Sequence, residues 1–138
     1  SVPLDQIVFI TTGTSASASE MVINGLKPFF PVTIVGDTTF GKPVGQVAVD
    51  FCGKRLRPVS FQAVNADGTA DFLEGFPADC PAADDINFEL GDPAEASLAE
   101  SLYYLDNEVC SAVAAARQPD IVAKPVTDKP RWRVQSAH

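Results

Sequence analysis

IVFITTGTSASASEMVINGLKPFFPVTIVG, residues 7 to 36, sets two short apolar runs on either side of a segment with a different rhythm. Ile7-Val8-Phe9-Ile10 is continuous, as expected of a strand covered on both faces in a sheet layered with helices. The small-residue turn Thr11-Thr12-Gly13-Thr14 ends it. After Ser15 to Glu20, Met21, Val22, Gly25 and Leu26 recur at helical spacing. Pro28 should stop that helix near Lys27, because its ring cannot continue the hydrogen-bond ladder. Val32 to Val35 then reads as a second strand. Strand, helix and strand in this order make a βαβ unit, so the fold class is α/β.

Further along, Gly45, Val47, Val49 and Phe51 alternate with Val44, Gln46, Ala48 and Asp50, the period of a single strand. Leu56 to Val64 and Thr69 to Leu73 read as two arms joined at Asn65-Ala66-Asp67-Gly68, residues that tolerate left-handed backbone angles. Pro77 to Asp85 is expected to be an acidic loop. Asp92-Pro93-Ala94-Glu95 announces a helix in which Asp92 caps, Pro93 takes the first turn and Glu95 completes a capping box. Leu98, Leu102 and Leu105 should form its buried side. From residue 117 to 138 the apolar period is lost and three prolines follow Gln118, so this tail is expected to run extended over a body formed by residues 1 to 116. No internal repeat is visible.

At 138 residues the chain amounts to one domain. Residues 1 to 116 carry 5 basic and 16 acidic side chains, a net −11, whereas residues 117 to 138 carry a net +3. So acidic a body repels nucleic acid phosphates and anionic membranes, and no apolar run approaches the roughly 20 residues that span a bilayer. Ser1 to Asp5 lacks the basic start and apolar stretch of a signal peptide. Cys52, Cys80 and Cys110 match no zinc spacing, and His138 is the only histidine, so no metal is expected. A Cys80–Cys110 disulfide would tie the second helix to the body in an exported protein; three reduced, buried thiols are the other reading.

Gly36-Asp37-Thr38-Thr39-Phe40-Gly41-Lys42 has the glycine and lysine spacing of a phosphate-binding loop. Pro43 follows, with neither a hydroxyl for magnesium nor a backbone N–H, and then comes a strand pattern where a helix is required. The nucleotide reading therefore fails on its setting. Lys42 is either an ordinary solvated lysine or a base for a hydroxyl at the first strand-to-helix turn, where nucleophiles collect in α/β folds. With His138 in the tail, lysine is the base left for a serine. In that role the amine must be neutral near pH 7, which requires shielding from solvent. Gln46 shares strand parity with Lys42 and could orient the amine without adding charge. Ser17, in Ser17-Ala18-Ser19-Glu20, also fits a plain capping box. Cap and nucleophile overlap, since a helix N-terminus stabilises a developing oxyanion.

Thr14 to Glu20, together with Gly36 to Gln46, closely resembles the two signatures of the carboxyl-terminal processing, or tail-specific, proteases, Thr-Ala-Ser-Ala-Ser-Glu and Gly-x-x-Thr-Phe-Gly-Lys-x-x-x-Gln. The 25 positions from Ser17 to Lys42 match the family's spacing. The resemblance implies Ser17 as nucleophile, Lys42 as general base, Gln46 as the lysine's orienting partner and the backbone N–H of Ala18 as an oxyanion donor. It covers roughly residues 5 to 110, with Gly75-Phe76-Pro77-Ala78-Asp79 as a weaker match. It implies a ClpP/crotonase-like core with additional strands and a C-terminal helix, polypeptide substrates cut near their C-termini, no cofactor, and a periplasmic or cell-envelope location. The resemblance puts the family's PDZ domain and second oxyanion donor, a glycine, upstream of Ser1, so the chain is expected to be the C-terminal part of such a protease. Lys27-Pro28 stands where some members carry an aspartate, and no acid is assigned there. A catalytically silent module that binds peptide strands along a sheet edge is the alternative.

Overall fold

The structure, a computed structural model, describes residues 4–116; the tail expected over 117–138 lies outside the described residues. The chain runs β1 (Ile7–Thr11), α1 (Ala18–Leu26), β2 (Val32–Gly36), β3 (Val44–Gln46), β4 (Val49–Phe51), β5 (Lys54–Leu56), β6 (Val59–Gln62), β7 (Cys80–Pro81), α2 (Ala96–Asn107) and α3 (Ala112–Ala116). β1 and β2 pair in parallel, Ile7 opposite Val32 through Thr11 opposite Gly36, and β7 joins the other side of β2 in parallel. This α/β unit is the floor on which the site is built. Among the described residues no helix is long and apolar enough to cross a membrane.

Period-two alternation along the strands divides the core into two layers. Ile34 and Phe9 face Ile23 of α1, with Phe72 and Phe76 completing that cluster, whereas Val35 and Val8 face Cys80, Tyr104 of α2 and Ala114 of α3. β2 is the strand covered on both sides, with Thr33 through Gly36 all buried. β1, expected to be covered in the same way, is an edge strand of the sheet, and its Ile10 is 47% exposed. α1 ends at Leu26 ahead of Pro28, as its sequence predicts. Its buried residues are Glu20, Ile23 and Asn24, while Met21 and Val22 face outward.

The alternating run 44–51 is two strands, not one. β3 pairs antiparallel with β6 and β4 with β5, and the register places Val47 and Ala48 beside Arg57-Pro58. Pro58 has no N–H to donate, so the ladder breaks there, and the same proline divides the expected 56–64 arm. Between β4 and β5, Cys52 and Gly53 both have positive φ, as a tight two-residue hairpin turn requires. Asn65 to Gly68 does form the expected turn, with Asn65 Oδ1 accepting from Asp67 N and Thr69 N. Its second arm is not a strand. The Thr69 and Ala70 carbonyls accept from the Asn24 and Gln62 side-chain amides, and Phe72 turns inward to stack on Phe76 with ring centroids 4.9 Å apart.

Two further differences follow from hydrogen bonding. Within the acidic loop, β7 forms because Asp79 N donates to Ile34 O while Asp79 Oδ2 accepts from Ile34 N, continuing the pairing beside β2. α2 is capped by Glu95, whose carboxylate accepts from Ser97 N and Leu98 N; Asp92 instead accepts from Ala94 N in the preceding turn. Its buried face is polar. Ser97 donates to Ala83 O and Glu100 accepts from Ser111 N and Oγ, tying flanking segments to the helix, while Leu102 and Leu105 remain over 40% exposed.

Phe72 contributes one of the largest side chains of the core, at 2% exposure. Phe72→Ala is expected to cost about 3–5 kcal/mol, read as a lower denaturant midpoint. Lys27 Nζ lies 4.1 Å from the Phe76 ring centroid, and burial lowers its pKa while Asp79 pulls the other way. The unfolded chain therefore binds this proton more tightly, so stability rises with pH from the lowered folded value up to the ordinary 10.5. Melting temperatures followed into alkaline pH should show a rise that Lys27→Met flattens.

Candidate active site

Glu20 sits at the third position of α1, fully buried, with no ion pair to it among the described residues. Its carboxylate accepts four hydrogen bonds: Oε2 from Ser17 N at 2.9 Å and Lys42 N at 2.8 Å, Oε1 from Gly41 N at 2.6 Å and Thr39 Oγ1 at 2.7 Å. Charge-assisted bonds from fixed backbone donors, together with the positive end of the α1 macrodipole, offset the desolvation of this anion. Since Ser17 N and Lys42 N share one oxygen, the two backbones cannot be further apart than those two hydrogen bonds laid end to end. The structure thus brings together the two residues that the sequence singles out 25 positions apart.

The same contacts answer the phosphate question. The Gly41 and Lys42 N–H groups, which a nucleotide would need, are already taken by the protein's own carboxylate. The loop 36–42 is held from behind as well. Phe40 N donates to Ser15 O, Thr39 N donates to Phe76 O, and Thr39 Oγ1 accepts from Phe76 N. A side chain at Gly41 would overlap the Leu73 carbonyl, and one at Gly75 the Thr39 carbonyl; both glycines have positive φ. Glycine at these two positions is what lets loop and turn press together.

Ser17 is the N-cap of α1, half-buried, with Glu20 reaching back to its N–H in capping-box fashion. Its backbone, φ 54° and ψ −106°, is not that of an ordinary cap, which lies in the extended region. A non-glycine residue held there stores on the order of 1–3 kcal/mol, which capping alone does not require. Ala18 opens the helix, exposed, and a first-turn N–H has no partner within its own helix. Lys42 is half-buried, short of the full shielding that a neutral amine requires, and among the described residues no carboxylate pairs with it. Gln46 lies exposed at the end of β3, and its amide makes no hydrogen bond to Lys42 among the described residues. β3 begins at Val44, so the strand parity expected to join Lys42 to Gln46 does not extend to Lys42; the register shift opposite Gln46 places an extra residue, Ser60, on β6.

Cys80 and Cys110 form a disulfide with Cα atoms 5.4 Å apart, and Cys52 is an exposed thiol. Glu100 stands close to both bonded sulfurs, the one cluster of metal-ligand type among the described residues, but neither sulfur is a thiolate. Glu20 is the residue whose part in the site sequence reasoning missed. The signal was the capping-box glutamate itself, three positions after Ser17. Glu20→Gln, which turns an amide N–H₂ toward buried donors, is expected to cost about 2–4 kcal/mol and to loosen both loops, measured as a lower unfolding midpoint.

Comparison with known proteins follows this geometry. The model of peptidase family S41 matches residues 3–79, a span that holds Ser17, Glu20, Lys42 and Gln46. A solved structure of an S41 protease candidate from Bacteroides fragilis NCTC 9343 superposes with a TM-score of 0.69 at 24% identity, over 76% of this chain and 28% of that one. At that identity the likeness speaks for the fold, and the chain spans little more than a quarter of the relative's length. No curated protein matches the chain. More than half of the sequence falls within the family match, and the chain belongs to peptidase family S41.

Proposed function

We propose that this chain is the nucleophile-bearing part of a serine protease that acts through a serine and lysine pair. Ser17 Oγ attacks the scissile carbonyl while the Lys42 amine accepts its proton; the acyl-enzyme is then released by water that the same lysine activates. The N–H of Ala18, at the positive end of α1, donates to the oxyanion. Gln46 orients the amine once the cleft is complete. The observation that carries this reading is the Glu20 carboxylate holding the Ser17 and Lys42 amides on one oxygen, with Ser17 in a strained backbone conformation.

Finer features belong to the same proposal. The three-layer βαβ arrangement is compatible with a ClpP/crotonase-like core, and the family resemblance favours polypeptides cut near their C-termini. The rest of the protease, with a PDZ domain, would supply the second oxyanion donor and the remaining shielding of Lys42. The Cys80–Cys110 disulfide favours an exported, periplasmic or envelope location.

In the full-length protease, a serine-acylating probe should label Ser17. Lys42→Met should slow that labelling by about 100- to 10,000-fold, the range of a lost general base. A folded full-length protein that resists the probe, or one labelled equally well as Ser17→Ala, would leave the silent peptide-binding module in place of the enzyme. Ser17→Gly should lose all labelling yet unfold no earlier than the native protein, since glycine relieves the positive φ.

A further inference from the structure

A cavity of about 500 Å³ opens at the carboxyl ends of β1, β2 and β7. Its walls are Thr11 to Thr14, Gly36-Asp37 and Pro81 to Asp84. In open parallel α/β sheets this is the edge where ligands collect. Among the described residues, the ionisable groups of the lining are two carboxylates, Asp37 and Asp84, with no basic side chain beside them. Asp37 Oδ1 accepts from Thr38 N while Oδ2 lies over Gly13, and the Asp84 carboxylate makes no hydrogen bond or ion pair among the described residues. The Thr12 and Thr14 hydroxyls, on the same lining, bond each other at 2.9 Å. Pro81, Ala82 and Ala83 give the third wall an aliphatic surface.

This combination fits one kind of guest. The volume far exceeds a bare ion, and two carboxylates fall short of the six to eight oxygens that calcium takes, with no third acidic group among the described residues close enough to complete a metal-ligand cluster. A long side chain with an apolar stem and a cationic head would lay its stem on Pro81 to Ala83 and its head between Asp37 and Asp84. Position adds to the chemistry. Thr14 is three residues from Ser17, a reach of at most about 11 Å, and Asp37 leads directly into the Lys42 loop. We propose that this cavity is a substrate subsite that receives an arginine or lysine side chain of the polypeptide close to the bond cut by Ser17; the proposal deepens the protease reading above and rests on it.

The test uses full-length protease carrying Ser17→Ala, so that peptides bind without being cut. Fluorescence anisotropy compares labelled peptides that differ only in arginine against its neutral isostere citrulline, scanned along the sequence. At one position arginine should bind about tenfold more tightly, and the difference should shrink with salt. Asp84→Asn, on an exposed loop, should reduce the preference and Asp37→Asn with Asp84→Asn should abolish it, whereas Asp67→Asn at the remote turn should leave it intact. Equal binding of the two peptides at every position, or a preference that survives the double change or falls as much with Asp67→Asn, overturns the subsite. Labelling of native Ser17 by a small uncharged probe tests the protease reading separately. Labelling without arginine preference removes the subsite alone. Arginine preference without labelling removes the protease reading and, with it, the role of the cavity as a substrate subsite.

Discussion

The anion at Glu20 is the constraint on which the site depends. A carboxylate buried without a cation persists only if fixed donors replace its lost water, and here the donors come from two places: the turn into α1 and the loop after β2. The bonds that make its burial tolerable therefore join the two segments that carry Ser17 and Lys42. A neutral or shorter side chain would satisfy the helix cap less well and would also release the loop. The same shared oxygen makes the strained φ of Ser17 sustainable, because relaxing Ser17 would take one of four donors from a buried carboxylate.

Support for that constraint comes from both layers of the core. Ile23 anchors α1 on Ile34 and Phe72, so the helix that carries Glu20 cannot rotate without opening the cluster. On the other face, Val35 packs on Cys80 and Ala114, fixing β2 just before the loop that ends in Lys42. Residues 73–76, which back that loop, are themselves pinned by Phe72 and Phe76. A rigid floor and a strained turn at Ser17 divide the work between packing and geometry.

Much of the fold was legible where a local rule decided the outcome. The two apolar runs and Pro28 gave β1, α1 and β2, and the resemblance singled out Ser17 and Lys42, whose backbones the structure brings onto one Glu20 oxygen. The misreadings share a physical origin, in that each depended on what lay across from a segment. Pro58 is plain in the sequence, but its effect on residues 47 and 48 appears only once the two strands are aligned. Thr69 to Leu73 had strand-like composition, yet Asn24 and Gln62 claimed the carbonyls that a ladder would have used. The leucines of α2 have good helical spacing, but Ser97 and Glu100 had loops to hold, and a hydrogen bond to a loop carries no periodicity. Glu20 was visible as a cap, while its second set of donors, some 20 residues away, was not.

The Cys80–Cys110 bond closes a loop of chain, 30 positions apart at its ends, that contains the exposed stretch near Asp84 and all of α2. A backbone cut anywhere inside that ring severs the polypeptide without freeing either piece. A nicked molecule would keep its mass and the attachment of both halves in an oxidising medium, and would come apart into two chains only on meeting a thiol.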